Sequence, residues 1–251
     1  MKFFVLKRKW ITGAACLIAA LALVGLVNHP AIVGAAATTR QLPIYCVQRD
    51  QKVVAISFDA AWGNEDTQQL IDILGKYKVT ATFFVVGDWV DKYPESVRAL
   101  SEAGHAVMNH SNTHGHYPQM SSEEVIADLN ACNDKVEQVT GIRPTLVRFP
   151  YGDYDDNSIN AARSIGMEPI QWDVDSLDWK EIPASEIVQR VTGKVQPGSI
   201  VLFHNAAIHT PEALPTIIET LLQEGYTFVP ISEILLDGDC TIDHTGRQCP
   251  A

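Results

Sequence analysis

The chain has 251 residues, 46% of them hydrophobic and 20% charged, which excludes disordered and fibrous classes. A formal net charge of −11 argues against a nucleic-acid-binding surface. The charge is uneven: residues 1–37 hold Lys2, Lys7, Arg8 and Lys9 and no acid, leaving 15 basic against 30 acidic residues in the remainder.

Those basic residues precede an apolar run from Ile11 to Val27 that stops at Asn28-His29-Pro30. Its length and flanks predict a segment that exports the rest, either a signal peptide cut near Ala35-Ala36-Ala37 or an uncleaved membrane anchor. Cys46, Cys132, Cys240 and Cys249 then fall in the exported part, where disulfides form. Cys240 and Cys249 either close a small loop or stand as two free thiols, and without a C-x-x-C pair no thiolate zinc site is indicated. The organisation expected is an N-terminal segment (1–37), a linker (38–49), one domain (50–236) and a polar tail (237–251).

Within the domain, β-rich runs alternate with helical patterns. Val53–Phe58 precedes a helix over Glu65–Tyr77; Thr80–Val86 precedes one over Tyr93–Ala103; His105–Asn109 follows. Ser121-Ser122-Glu123-Glu124 offers a capping box for a helix reaching Val139, with Val125, Leu129, Cys132 and Val136 on one face. Leu146–Phe149, a helix near Ser158–Ser164, Pro169–Trp172, a helix over Ala184–Val195, the strand Ser199–His204, the helix Pro211–Glu224 and Tyr226–Pro230 complete the series. About seven β/α units predict a parallel sheet, either closed into a barrel or open and doubly wound. No phosphate-binding glycine motif is present.

In either architecture chemistry belongs where strands end. Asp59 follows the first apolar strand, placed to act as a general base or to cap the next helix. His110 and His114, at i and i+4, face one metal if their segment is helical, with His116 as a further candidate. In Arg148-Phe149-Pro150-Tyr151-Gly152, Arg148 is suited to keep Asp59 ionised, and Pro150 to aim the Tyr151 amide at a developing oxyanion. Asp173, Asp175 and Asp178 beside Trp179 read as carboxylates backing a site or as a solvated acidic loop, and His204 ends an apolar strand.

These five clusters, in this order, resemble the polysaccharide deacetylases (NodB homology, carbohydrate esterase family 4). The resemblance covers about residues 50–236, and segments such as Ser57–Tyr77 and Leu202–Pro215 look most like the sporulation-associated PdaB-type members. It implies an α/β fold, a distorted (β/α) barrel, and removal of acetyl groups from N-acetylated glycans such as peptidoglycan or chitooligosaccharides. It also implies Asp59 as catalytic base, His110 and His114 as ligands of a divalent metal, usually zinc, and Arg148 as the group orienting the base. Tyr151 corresponds to the oxyanion donor, Asp178 to the tuner of His204, His204 to the general acid, Trp179 to a groove wall and Leu202 to the acetyl-methyl pocket. Trp62 is a further aromatic suited to the sugar. The family's usual third metal ligand is an aspartate at the position of Ala60, so metal binding is expected to be weak, or completed by Glu65, Asp66 or His116. Two classes follow: an exported deacetylase, or a glycan-binding relative with little turnover. The glycan is the expected partner, nucleic acid is not, and a membrane is met only through an uncleaved 1–37 segment.

Overall fold

The computed structural model describes Leu17, Ile18 and residues 40–251, and the chain divides into two compact units, Met1–Arg40 and Gln41–Ala251. Leu17 and Ile18 are helical; the rest of the expected export segment, with its cleavage site, lies outside the described residues. The second unit carries the barrel.

Its central strand, β2 (Val53–Ala60), is buried on both faces, as befits a strand covered on each side, and apolar but for Ser57 and Asp59. Parallel partners β3 (Thr82–Val85), β4 (Ala106–Asn109), β5 (Leu146–Val147) and β6 (Glu168–Pro169) extend from one edge. On the other side of β2 lies β8 (Ser199–His204), which also pairs with β7 (Val174–Asp175), while β9 (Thr227–Phe228) joins the start of β2. Residues alternate along β2. Val54, Ile56 and Phe58 pack outward against the helices, with Phe58 stacked between Phe83 (4.7 Å) and Phe203 (5.6 Å). Ala55 points inward to a smaller core with Phe84, Met108, Leu146, Ile170 and Ile200.

The helices form the outer layer. They are α1 (Thr67–Tyr77), α2 (Gly87–Lys92), α3 (Pro94–Glu102), α4 (Ser122–Thr140), α5 (Asp156–Ser164), α6 (Ala184–Thr192), α7 (Thr210–Gln223) and the short α8 (Ile231–Ile234). The capping box of α4 forms as the sequence predicts: the Glu124 N–H donates to the Ser121 hydroxyl and the Ser121 N–H to the Glu124 carboxylate. Gly141, left-handed at φ 74°, ends the helix.

Two segments depart from expectation. The stretch assigned to a linker closes the barrel. Ile44 donates to the Pro169 carbonyl (2.9 Å) and accepts from the Gln171 N–H (2.7 Å), bridging to Ile170 beyond β6. β1 (Cys46–Val47) then runs antiparallel to β8. The tail, expected as a loose polar end, forms the hairpin β10 (Cys240–Ile242) and β11 (Arg247–Pro250), and β11 pairs in parallel with β1. Its register explains why the suggested Cys240–Cys249 bridge is not formed. Cys240 opposes Pro250 and Thr241 opposes Cys249, so the two thiols lie on opposite faces of the hairpin, and both are free.

Closure leaves no room at Gly198. There φ is +87°, the carbonyl accepts the Val47 N–H (3.0 Å), and any Cβ would run into the Val47 carbonyl. Gly198→Ala should therefore lower stability by at least the ~1–3 kcal/mol of a strained left-handed residue, read as a fall in the urea midpoint with an unchanged slope. An unchanged midpoint would show that β1 is not held as described.

Candidate active site

The pairing register assembles the site. In the β2–β8 ladder Asp59 lies directly opposite His204, and both continue the interior face. His110 and Arg148 follow the last residues of β4 and β5, one step above Met108 and Leu146 on that same face. Four strand ends therefore deliver a carboxylate, two imidazoles and a guanidinium to one mouth.

Arg148 is fully buried. Its Nη1 donates to Asp59 Oδ1 (2.9 Å), its Nη2 to the Gln171 carbonyl (3.0 Å), and its plane lies 4.3 Å from the Phe84 ring. Burial works against a charged Asp59, but the Arg148 guanidinium, helped by His110 and His204, holds its carboxyl below the usual carboxylate range. The Arg148 carbonyl accepts from His110 Nδ1 (2.7 Å), so that ring presents Nε2 towards Asp59 Oδ2, 3.5 Å away. Burial also keeps His110 and His114 neutral, pushing His114 down to about 4.

The two histidines meet by a route other than the helix the spacing suggests. Residues 110–116 form an irregular loop with Ser111 and His114 at positive φ (71° and 59°), and their ring centroids stand 5.0 Å apart. Hydrogen bonds impose that path. The Asn109 carboxamide receives the Ser111 N–H (2.7 Å), the Ser111 hydroxyl receives the His114 N–H (2.6 Å), and Asp128 on α4 receives the Asn112 N–H (2.8 Å) and the Tyr117 hydroxyl (2.6 Å). Asp128 carried no sequence signal beyond its exposed-face position on a helix.

His204 is set by Asp178. The buried Asp178 carboxylate accepts from His204 Nδ1 (2.8 Å), the His204 N–H (2.8 Å), the Thr210 hydroxyl (2.7 Å) and the Trp179 N–H (2.9 Å). Burial alone would lower the His204 pKa, but this partner lifts it above the ordinary histidine value. Of the other two acids, Asp175 lines the cavity, whereas Asp173 does not back the site: it binds the Ser199 hydroxyl and the Ile200 N–H at the start of β8.

A cavity of about 460 Å³ opens over these groups, lined by Asp59, His110, His114 and His204 together with Trp62, Tyr151, Gly152, Trp172, Asp175, Trp179 and Leu202. Trp62, Tyr151 and Trp179 are the exposed aromatics at its rim, at 60%, 60% and 57%. Tyr151 is left-handed (φ 61°) in the short 3₁₀ turn Pro150–Gly152, with its ring stacked on His116. Asn205 and Trp89 hold the Trp62 wall, both donating to the Gly63 carbonyl, while the Asn205 carboxamide oxygen accepts the Ala61 N–H. Asn205 was visible only as the residue after His204, and Trp89 not at all.

The donors present fall short of a zinc site. His110 and His114 are two neutral imidazoles, whereas a catalytic zinc takes three protein ligands. Ala60 is fully buried with Phe58 in the outer apolar layer. The suggested replacements are engaged elsewhere: His116 pairs with Asp153 (3.2 Å), Glu65 accepts the Asn64 N–H, and Asp66 accepts the Ala206 N–H. Among the described residues no three His, Cys, Asp or Glu side chains group to hold a metal.

Residues 47–170 match the polysaccharide deacetylase family. The peptidoglycan-N-acetylmuramic acid deacetylase PdaC of Bacillus subtilis is 37% identical over 75% of this chain, and the match spans 40% of PdaC's length. Its solved structure superimposes with a TM-score of 0.67 at 38% identity, covering 75% of this chain and 92% of that one. A carbohydrate esterase family 4 pseudoenzyme from Bacillus anthracis aligns at 35% identity and a TM-score of 0.74, covering 76% of this chain and 68% of that one. A mutant of that protein with restored enzymatic activity aligns equally well, at 36% identity.

The Asp178–His204 pair sets a pH dependence. Because the folded His204 pKa is raised, the pair adds stability that is full below the unfolded value of about 6.5 and is lost as pH rises through the folded pKa. Asp178→Asn should move the His204 titration, followed by NMR of the ring protons, to lower pH and remove that increment. A titration that stays in place would assign the shift to another neighbour.

Proposed function

The chain belongs to the polysaccharide deacetylase family, carbohydrate esterase family 4, and we propose that it hydrolyses N-acetyl groups of a peptidoglycan-like or chitin-like glycan at the Asp59–His204 cavity. The observation that carries this reading is geometric: at matching register a buried carboxylate paired with Arg148, its pKa lowered, faces a histidine whose Nδ1 is bound to Asp178 and whose pKa is raised. General acid–base work on an amide needs such a pair.

In this reading Asp59 takes a proton from a water lying against the acetamide carbonyl, and the water oxygen bonds to the carbonyl carbon. The carbonyl oxygen, now negative, is met by the Tyr151 amide at the rim. His204, its Nδ1 committed to Asp178, donates its other proton from Nε2 to the sugar nitrogen as the C–N bond breaks. Acetate and an amino sugar leave. Leu202, almost wholly buried beneath the cavity, supports the acetyl methyl, while Trp62 and Trp179 offer faces to the sugar. Export through residues 1–37 and a role in the spore envelope belong to the same proposal. They rest on the basic-then-apolar leader and on the resemblance to sporulation-associated members.

Ala60 favours a second reading, a glycan-binding member with slow or no turnover. Two imidazoles without a carboxylate give a weak metal site, and the similar Bacillus anthracis protein is described as a pseudoenzyme. Acetate release from chitooligosaccharides and peptidoglycan separates the readings. Asp59→Asn, which keeps an oxygen for Arg148, and His204→Ala should each cut release by ~10²–10⁴-fold with circular dichroism unchanged. Full rates in either variant would remove that residue from the mechanism. No release from wild type, with retained glycan binding, selects the second reading.

The missing ligand has its own test. Ala60→Asp places a carboxylate in a packed apolar layer, so the metal-free variant should lose ~2–4 kcal/mol of stability. Position 60 is the last residue of β2, so the longer aspartate side chain can turn over the strand end towards His110 and His114. Zinc should then restore the stability and bind more tightly than to wild type, an anionic oxygen having joined two neutral imidazoles. Calorimetric titration of both proteins measures this. Equal affinities, with wild type already holding one tight equivalent, would mean that another residue completes the site.

A further inference from the structure

The groove does not stop at His204. A second cavity of about 270 Å³ shares Trp62, Trp179 and His204 with the first and continues to Ile208. A third, of about 260 Å³, shares the Ala206–Ala207–Ile208 wall and ends on Glu65 and Asp66. Gly63 packs closely beside them, since a Cβ there would meet the Glu65 carboxylate and Ala206.

The chemistry changes along this path. Over the first cavity the acid Asp59 is matched by Arg148. Beyond His204 the walls carry Glu181, Glu65 and Asp66, and no lysine or arginine among the described lining residues. Asp66 is the informative one. Only 9% exposed, it accepts the Ala206 N–H with Oδ2 (2.9 Å), while its buried Oδ1 has no hydrogen-bond partner among the described residues. A buried carboxylate oxygen without a donor is costly and lacks a cation or N–H group. The apolar members complete the picture: Ile208 is 66% exposed beside Trp62 and Trp179, a platform of the kind a sugar ring covers.

We propose that this continuation is a subsite for an amine-bearing sugar of the glycan, its ammonium held by Asp66, Glu65 and Glu181 and its ring lying against Trp179 and Ile208. The inference rests on the groove holding a glycan. It deepens that reading by giving the site a preference: a strand already carrying a free amine near the next acetylated sugar is bound best. Product of one turnover thus becomes favoured substrate for the next.

Calorimetric binding of glucosamine tetramer and N-acetylglucosamine tetramer to the full chain, below the pKa of the sugar amine, tests this. The amine tetramer should bind about fivefold or more tighter. Glu65→Gln and Glu181→Gln, both at exposed positions where folding is not at risk, should each reduce that preference about 2–5-fold. Asp66→Asn should reduce it about tenfold. Glu102→Gln, on an exposed turn of α3, should leave it unchanged. A tighter acetylated tetramer, equal affinities, or an equal loss in Glu102→Gln would overturn the subsite while leaving the glycan reading in place. Binding of neither tetramer would overturn both.

Discussion

A guanidinium without access to water governs the mouth of this barrel. Arg148 is fully buried, and a charge at such depth is costly unless it is paired; its two terminal nitrogens are answered while its Nε has no hydrogen-bond partner among the described residues. Asp59 answers with an anion, the Gln171 carbonyl with a lone pair, and Phe84 and Trp172 with aromatic faces at 4.3 and 5.5 Å. The same residue's carbonyl fixes which nitrogen of His110 bears the proton. The carboxylate's ionisation, the imidazole's tautomer and the positions of β2, β4 and β5 relative to one another thus share one dependence. His204, on the far side, has a separate partner in Asp178, and Asp59 and His204 each favour the charged form of the other.

Metal binding is the expectation that the side chains at the mouth meet least well. The barrel presents interior and exterior faces by strict alternation, and position 60 falls on the exterior one, among Phe58 and its neighbours. Ala60 is fully buried there. The mouth carries Asp59, His204 and an aromatic rim, but only His110 and His114 as ligands where a catalytic zinc takes three.

The long, strongly patterned elements were readable in advance. β2 and β8 are continuous apolar runs, and α4 announces both its start, through Ser121 and Glu124, and its buried stripe. Asp59, His204, Arg148 and Asp178 stood out because charge rarely follows an apolar strand without reason. What could not be read were pieces too short for a period. β1 has two residues, β7 has two, and the strap around Ile44 bonds to Ile170, far away in sequence. The His110–His114 pair was legible as a pair but not in its geometry, since i, i+4 spacing suits a helix and the actual loop is dictated by Asn109, Ser111 and Asp128. The hairpin failed for the reason hairpins often do: Cys240 and Cys249 suggest a covalent loop, but one residue of register sends them to opposite faces.

The way β1 is held has a consequence for the order in which the barrel can form. Its partners are β8 and β11, and the bridge beside it reaches Ile170. A ribosome releases β1 first and those partners only after most of the domain has emerged. Until then β2 to β6 can gather as an open, curling sheet with unpaired edges at β2 and β6, the kind of surface that invites mispairing. Closure is a long-range event that must await near-complete synthesis, and its slow step is the meeting of distant segments rather than the winding of any helix. The strand made earliest is the one that finds its last neighbour latest.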